Sequence, residues 1–288
     1  MDRGFAPAKV NLALHVTGRG ADGYHRLDSL VVFAGVGDQV TAAPARDITL
    51  AVSGPFARGV PTDGANLALR AAHALARARG VERGAALRLV KALPHAAGIG
   101  SASSDAAATL RLLAHLWKVE PFAPGDPEAL ALGSDVPACL LAPGALRMSG
   151  RGETVEALAP LGSPGGTMGL VLVNPGVALP TRDVFAGLAS RDNPGLPPLP
   201  EGGGAEALAA WMAGARNDLQ APAEALAPQV GLALALLRRT PGVLAAAMSG
   251  SGGTCVGLTR DMGAARQAAR AIQVAAQAWW VVPAAILG

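Results

Sequence analysis

Four side chains near the start of the chain have the types and spacing for chemistry on an anionic ligand. Lys9 and Asn11 lie two apart in Ala8-Lys9-Val10-Asn11-Leu12. In a strand they project from one face while Val10 and Leu12 project from the other, so a cation and an amide share a polar surface. Further on, Asp22-Gly23-Tyr24-His25 sets the chain's one tyrosine beside an imidazole. Two adjacent rings suit a nucleobase, by stacking and by edge hydrogen bonds. A loop aromatic that anchors a hairpin answers the same pattern.

The centre of the chain carries Pro94-His95-Ala96-Ala97-Gly98-Ile99-Gly100-Ser101-Ala102-Ser103-Ser104-Asp105. Small residues let backbone N–H groups converge on an anion, and a helix that follows them points its positive end at the same spot. Ser101, Ser103 and Ser104 add hydroxyls for phosphate oxygens or for Mg2+. The pattern is neither G-x-x-x-x-G-K-[ST] nor a strict G-x-G-x-x-G. A strand-to-helix turn whose serines only cap the helix accounts for it equally. A second loop, Gly250-Ser251-Gly252-Gly253, lies between apolar runs. It reads as a tight hairpin, or as a brace for the first loop.

These residues need elements to hold them. Residues 9–17 alternate polar and apolar, and 27–36 and 48–52 are further strand-like runs. Gly18 to Gly23 forms a loop between the first two. A helical pattern over 66–79 ends at Gly80, a natural C-cap. Residues 85–93 read as a strand, 104–117 as a helix, and the apolar runs 136–141 and 146–149 complete this half. Periodicity breaks over 160–166, which divides the chain into domains at 1–158 and 159–288. The second half opens with a strand over 170–174 and a helix from Thr181. Residues 192–204 (DNPGLPPLPEGGG) hold no regular structure and are expected as a mobile surface loop. Helices over 205–215 and 226–238 and strands over 243–248 and 254–258 follow, then a helix and a final strand. Strands and helices in both halves point to two α+β layers.

Composition excludes several classes. Of 288 residues, 51% are hydrophobic but only 3% aromatic, so Ala, Leu and Val must fill the core. The net charge of +3 is spread along the chain. Without a Lys/Arg run there is no nucleic-acid groove, and a mild excess of this kind suits a small anion. No apolar run reaches the ~18 residues that span a bilayer. The start of the chain has no apolar signal region, so a cytoplasmic protein is expected. Cys139 and Cys255 stand alone, as reduced thiols do in a cytosolic chain.

Taken together, Ala8 to Leu12, Ala21-Asp22-Gly23-Tyr24-His25, Ser103-Ser104-Asp105-Ala106-Ala107, Gly133-Ser134-Asp135-Val136-Pro137, Asn174-Pro175-Gly176 and Met248-Ser249-Gly250-Ser251-Gly252 resemble the GHMP small-molecule kinases over nearly the whole chain. The resemblance implies a two-domain α+β GHMP kinase fold. Its N-terminal half would be like ribosomal protein S5 domain 2, and its C-terminal half ferredoxin-like. The implied cofactors are ATP and Mg2+. The implied reaction phosphorylates the 2-hydroxyl of a cytidine-diphosphate-linked methylerythritol in non-mevalonate isoprenoid precursor biosynthesis, in a monomer or homodimer. Lys9 and Asp135 correspond to the catalytic pair and Pro94 to Ser104 to the ATP-phosphate loop, with Ser104 as metal ligand. Asn11, Tyr24, His25 and Thr181 correspond to substrate contacts, with Tyr24 stacked on the base. Another GHMP kinase and a nucleotide-binding sensor without catalysis are the rival expectations. Ala96, Ser101 and Ala102 stand where the family commonly has glycine, and any of them forced to positive φ would carry strain.

Overall fold

Two long strands form the spine of the structure, a computed structural model that describes residues 2–161, 167–200 and 202–288. β1 (Asp2–Arg19) and β2 (His25–Ala45) run antiparallel, so the polar face of β1 is held along its length. The first half continues with β3 (Thr49–Ser53), α1 (Leu67–Arg79), β4 (Gly84–Val90), α2 (Ser101–Trp117), α3 (Pro127–Leu132), α4 (Val136–Leu140), β5 (Leu146–Gly150) and β6 (Thr154–Ala157). The second half holds β7 (Gly169–Asn174), α5 (Thr181–Ala186), α6 (Gly204–Gly214), α7 (Gln220–Leu226), α8 (Gln229–Arg239), β8 (Val243–Met248), β9 (Cys255–Thr259), α9 (Met262–Ala275) and β10 (Trp280–Leu287).

The sheet runs β3-β4-β2-β10-β7-β9-β8, with β1 and β5 both paired to β2 and β6 paired to β5. β10 joins the two halves: Trp280 to Ala285 pair with β7, and Ile286 and Leu287 pair with β2. The 158/159 boundary falls between β6 and β7, and residues 162–166 of the stretch expected there lie outside the described residues. Helices cover the sheet. Alanines and leucines make this possible with few aromatics: Ala106, Ala107, Leu110 and Leu113 of α2 are fully buried. Among the described residues no helix is long and apolar enough to cross a membrane.

Helix ends follow local chemistry. Asn66 caps α1 by accepting the Ala68 N–H at 2.9 Å, and Gly80 ends it at φ +63°. α2 begins at Ser101 rather than 104, because Gly100 at φ +59° is the break. The pattern over 226–238 splits: Ala227, extended before Pro228, separates α7 from α8. The run 136–141 becomes α4, with a proline in the first turn where its missing N–H costs nothing. The short helices α3 and α7 were not expected from periodicity.

The segment after α5 is irregular, as expected, and contacts from β1 and β2 pin residues 193–196 of it; residue 201 lies outside the described residues. Asp28 on β2 takes both Arg147 N–H groups at 2.8 and 2.7 Å and the Leu196 N–H at 2.8 Å. Burial alone would raise the Asp28 carboxyl, but those donors hold it below its ordinary value. His15 on β1 bonds the Pro194 carbonyl through Nδ1 at 3.0 Å, and Asn193 donates to the Val16 carbonyl at 3.0 Å. Buried side chains on the spine thus satisfy backbone groups that no sheet or helix serves. Asp28→Ala removes the central acceptor. Limited trypsin digestion should then cut after Arg191 faster than in the parent, with the rest of the fold intact. Equal cleavage rates would show that other contacts hold the segment.

Candidate active site

Lys9 is 3% exposed, yet its stem runs to a cavity wall. Its Nζ lies 3.1 Å from Asp135 Oδ1 and 3.1 Å from Asn11 Oδ1. Asp135 stands at the start of α4 but makes no capping bond to it, so its carboxylate is left for Lys9 and the cavity. Asn11 also lines the cavity, but it is 0% exposed and donates to Ser29 Oγ at 2.7 Å. The shared strand face therefore exists, and on it the Asn11 amide oxygen accepts from Lys9.

The two glycine loops meet beside this pair. Ser249 Oγ donates to the Gly98 carbonyl at 2.9 Å, and the Thr254 N–H donates to the Ala97 carbonyl at 3.1 Å. The second loop thus braces the first. α2 opens with no side-chain cap, so its first-turn N–H groups face the cavity unpaired by serines. That disposes of the helix-capping alternative. Ala96 adopts φ +52°, so it carries the left-handed strain, roughly 1–2 kcal/mol. Ser101 and Ala102 are helical and carry none.

Not every residue of the expected loop reaches the cavity. Ala96, Ala97, Gly98, Gly100, Ser101, Ala102 and Ser103 line it. Pro94 and Ile99 are buried in the core, and His95 turns toward Gly59 instead. Ser104 is the clearest correction. It is fully buried and donates to the Pro7 carbonyl at 2.7 Å, so it is no metal ligand; Ser103 beside it lines the cavity, as does Ser101, whose hydroxyl is tied to Lys91 and Asp38.

Beneath the loop lies a buried ionic knot that the motifs did not reveal. Lys91 Nζ bonds Asp38, Ser101 Oγ and, at 2.6 Å, Asp105 Oδ2. Asp38 Oδ1 also accepts the Ala92 and Leu93 N–H groups at 2.6 and 2.9 Å. The knot joins the strand before the loop to the helix after it. Burial pushes the Asp105 carboxyl up to about 8; Lys91 pulls against this and Asp38 adds to it. The available signal was that Lys91 is one of only three lysines.

The far end of the cavity, whose volume is about 830 Å³, is built from loops. Tyr24 is 61% exposed, which removes the hairpin-anchor reading, and the Arg151 guanidinium lies 5.2 Å over its ring. His25 stacks on Phe185 with ring centres 5.0 Å apart. Its Nδ1 is buried without a partner, and burial, then Arg191 and Arg19, push the imidazole below its ordinary value. Thr181 Oγ1 pairs with Ser251 Oγ at 2.9 Å. Phe185 was missed, although its i,i+4 spacing from Thr181 puts both on one helix face. Cys139 and Cys255 are free and buried, with thiols pushed up to about 12 by burial, so neither is a nucleophile.

The fold and site have relatives. Family models match residues 66–142 as "GHMP kinases N terminal domain" and residues 200–276 as "GHMP kinases C terminal". A protein of Cereibacter sphaeroides (strain ATCC 17025 / ATH 2.4.3) named 4-diphosphocytidyl-2-C-methyl-D-erythritol kinase is 51% identical, covering 100% of both chains. One of that name from Jannaschia sp. (strain CCS1) is 50% identical, over 99% of this chain and 97% of its own. A crystal structure of 4-(cytidine 5'-diphospho)-2C-methyl-D-erythritol kinase aligns over 100% of both chains with a TM-score of 0.79 and 32% identity. A homoserine kinase from Cytophaga hutchinsonii shares the fold, at a TM-score of 0.67 and 18% identity over 99% of this chain and 94% of its own.

The ionic knot makes stability depend on pH. The folded value of Asp105, about 8, lies above its ordinary 3.8, so across that window the native state holds a proton the unfolded chain has released. This contribution is full below the window and is lost as pH rises through about 8. Asp105→Asn mimics the protonated form and removes the titration. Its thermal midpoint should fall less than the parent's between the acid and alkaline ends of the window. Parallel curves would take Asp105 out of the titrating set.

Proposed function

Because the chain belongs to the GHMP kinases, among the 4-diphosphocytidyl-2-C-methyl-D-erythritol kinases, we propose that Lys9 and Asp135 direct the γ-phosphate of ATP onto the 2-hydroxyl of that cytidyl compound. The protein is an ATP-dependent small-molecule kinase of isoprenoid biosynthesis. The observation that carries the residue roles is the Lys9–Asp135 contact of 3.1 Å. It lies in one cavity with the uncapped start of α2 and the Tyr24–His25–Phe185 rings.

Phosphoryl transfer asks a protein mainly for in-line positioning and charge neutralisation. The unpaired N–H groups of Ser101, Ala102 and Ser103, with the positive end of α2, hold the phosphates of ATP. Asp135 accepts the proton of the acceptor hydroxyl. Lys9, held in direction by Asn11, offsets the negative charge that develops on the attacking oxygen. The described residues include no group of three acids, histidines or cysteines that could cage a metal. This donor set fits Mg2+ carried on the nucleotide, with the Ser103 hydroxyl as its protein oxygen, since that ion binds through few protein groups and substrate phosphates. When bound, it neutralises phosphate charge. Tyr24 offers an open ring face for the cytosine, and His25, on the same cavity wall, an imidazole for its edge. We place the enzyme in the cytoplasm, as a monomer or homodimer.

Asp135→Asn keeps shape and removes the base, so kcat should fall by ~10²–10⁴ while nucleotide binding persists. Retention of most of the parental kcat would remove Asp135 from the proton transfer. Tyr24→Ala should weaken the cytidyl substrate by ~1–3 kcal/mol, read as a raised KM with KM for ATP unchanged. Tyr24→Phe keeps the ring and should be mild. If Tyr24→Ala turns over the cytidyl compound as well as the parent does, the base does not lie on this ring.

A further inference from the structure

The recognition end of the cavity holds more positive charge than base stacking or phosphoryl transfer uses. Arg19 and Arg191 both line it, and neither has a carboxylate within ion-pair distance among the described residues. Arg151, on the same wall, does have one, Asp22 at 3.7 Å. Arg182 lines it too without one, so three guanidinium groups lack a counter-ion in one concave site, an arrangement that an anion would relieve. Arg19 and Arg191 share the cavity wall with Tyr24 and His25, and both arginines act electrostatically on His25.

Both side chains are exposed, and the backbone sets where each starts. Arg19 Nε donates to the Gly23 carbonyl at 2.9 Å, which holds its stem against the Tyr24 turn. Arg191 leads directly into the segment that His15, Asp28 and Val16 pin to the spine. That pinning has no evident use in catalysis, but it holds the chain two to five residues beyond Arg191, which lines the cavity. A nucleotide stacked at Tyr24 must pass its phosphates from the base end toward Asp135, and guanidinium groups match phosphate oxygens by paired N–H bonds.

We propose that Arg191, positioned by the pinned segment, and Arg19 grip the diphosphate of the substrate, so that this pair selects a nucleoside diphosphate over a free nucleoside. The inference rests on the cytidyl substrate proposed above. The structure gives the stack to Tyr24 and the edge to His25; the arginines supply the charge.

The test is calorimetric titration of CDP and of cytidine into the parent, Arg191→Gln and Arg191→Lys, with the ATP site filled by a non-hydrolysable ATP analogue. Arg191→Gln should weaken CDP by about tenfold, the scale of a charge-assisted hydrogen bond at a part-exposed site, and leave cytidine unchanged. Arg191→Lys should restore part of the CDP affinity, because it keeps charge but not the fork. In turnover, KM for the cytidyl substrate should rise while KM for ATP stays. Equal weakening of CDP and cytidine would overturn the proposal, since Arg191 would then act through the fold or the ring stack. Unchanged affinity for both would also overturn it, placing the diphosphate elsewhere. A parent that binds CDP and UDP alike would defeat the cytidine reading instead. The arginine inference would still be decided by UDP against uridine.

Discussion

Gly98 and the turn from Ser249 to Gly252 meet backbone to backbone, with no room for a side chain on either. A Cβ on Gly98 would stand 2.7 Å from the Gly252 carbonyl oxygen, and one on Gly250 would stand 2.7 Å from that of Gly98. Ser249 secures the meeting twice, accepting the Asn11 N–H at 3.0 Å and donating to the Gly98 carbonyl. One hydroxyl therefore ties together the first loop, the second loop and β1. The Lys9 N–H bonds the Ile99 carbonyl at 3.0 Å, so the same tie sets Lys9 against the start of α2. Phosphoryl transfer is sensitive to displacements of about 1 Å, which makes this contact the geometric reference for the site.

Charge holds the loop from below as the glycines hold it from the side. Lys91 has carboxylates on two sides, Asp38 from β2 and Asp105 from α2, and both are buried with it. Two acids against one base in a dry interior would leave a net negative charge under a phosphate site. The upward push on Asp105 is the physical answer, because a proton there makes the knot neutral. Its Oδ1 has no partner, which fits a group whose charge is suppressed rather than solvated. Two of the three lysines thus bracket the loop: Lys91 fastens it from inside, and Lys9 faces the reaction.

Periodicity and glycine chemistry carried much of this into view from the residues alone. The shared face of Lys9 and Asn11 follows from the two-residue period of a strand, and the ends of α1 from Asn66 and Gly80. Both glycine loops were legible by composition. Ser104 was carried over from the resemblance as metal ligand, and nothing local in the sequence shows that its hydroxyl turns inward to the Pro7 carbonyl while Ser103 lines the cavity. The Lys91 knot could not be read, since Asp38 comes from a strand far away in the chain and nothing local marks the pairing. The pinned segment was misread for a related reason. Its own residues have no periodicity, and its anchors, His15 and Asp28, look like ordinary strand residues until the fold turns them inward.

A protein leaves polar groups without partners only at a cost in stability, so where it does so in a cavity the groups describe what belongs there. The first-turn N–H groups of α2 ask for an anion. The open ring of Tyr24, with His25 beside it on the cavity wall, asks for a flat surface. Arg19 and Arg191, on the same wall as His25 and without carboxylate partners among the described residues, ask for an anion of their own. Asp135, paired with Lys9 through Oδ1, lines the same cavity. One small molecule with a base at one end, phosphates in the middle and a free hydroxyl beyond them meets the second set of demands, and a nucleoside triphosphate meets the first. The hydroxyl must then fall beside Asp135, where the two ligands face each other.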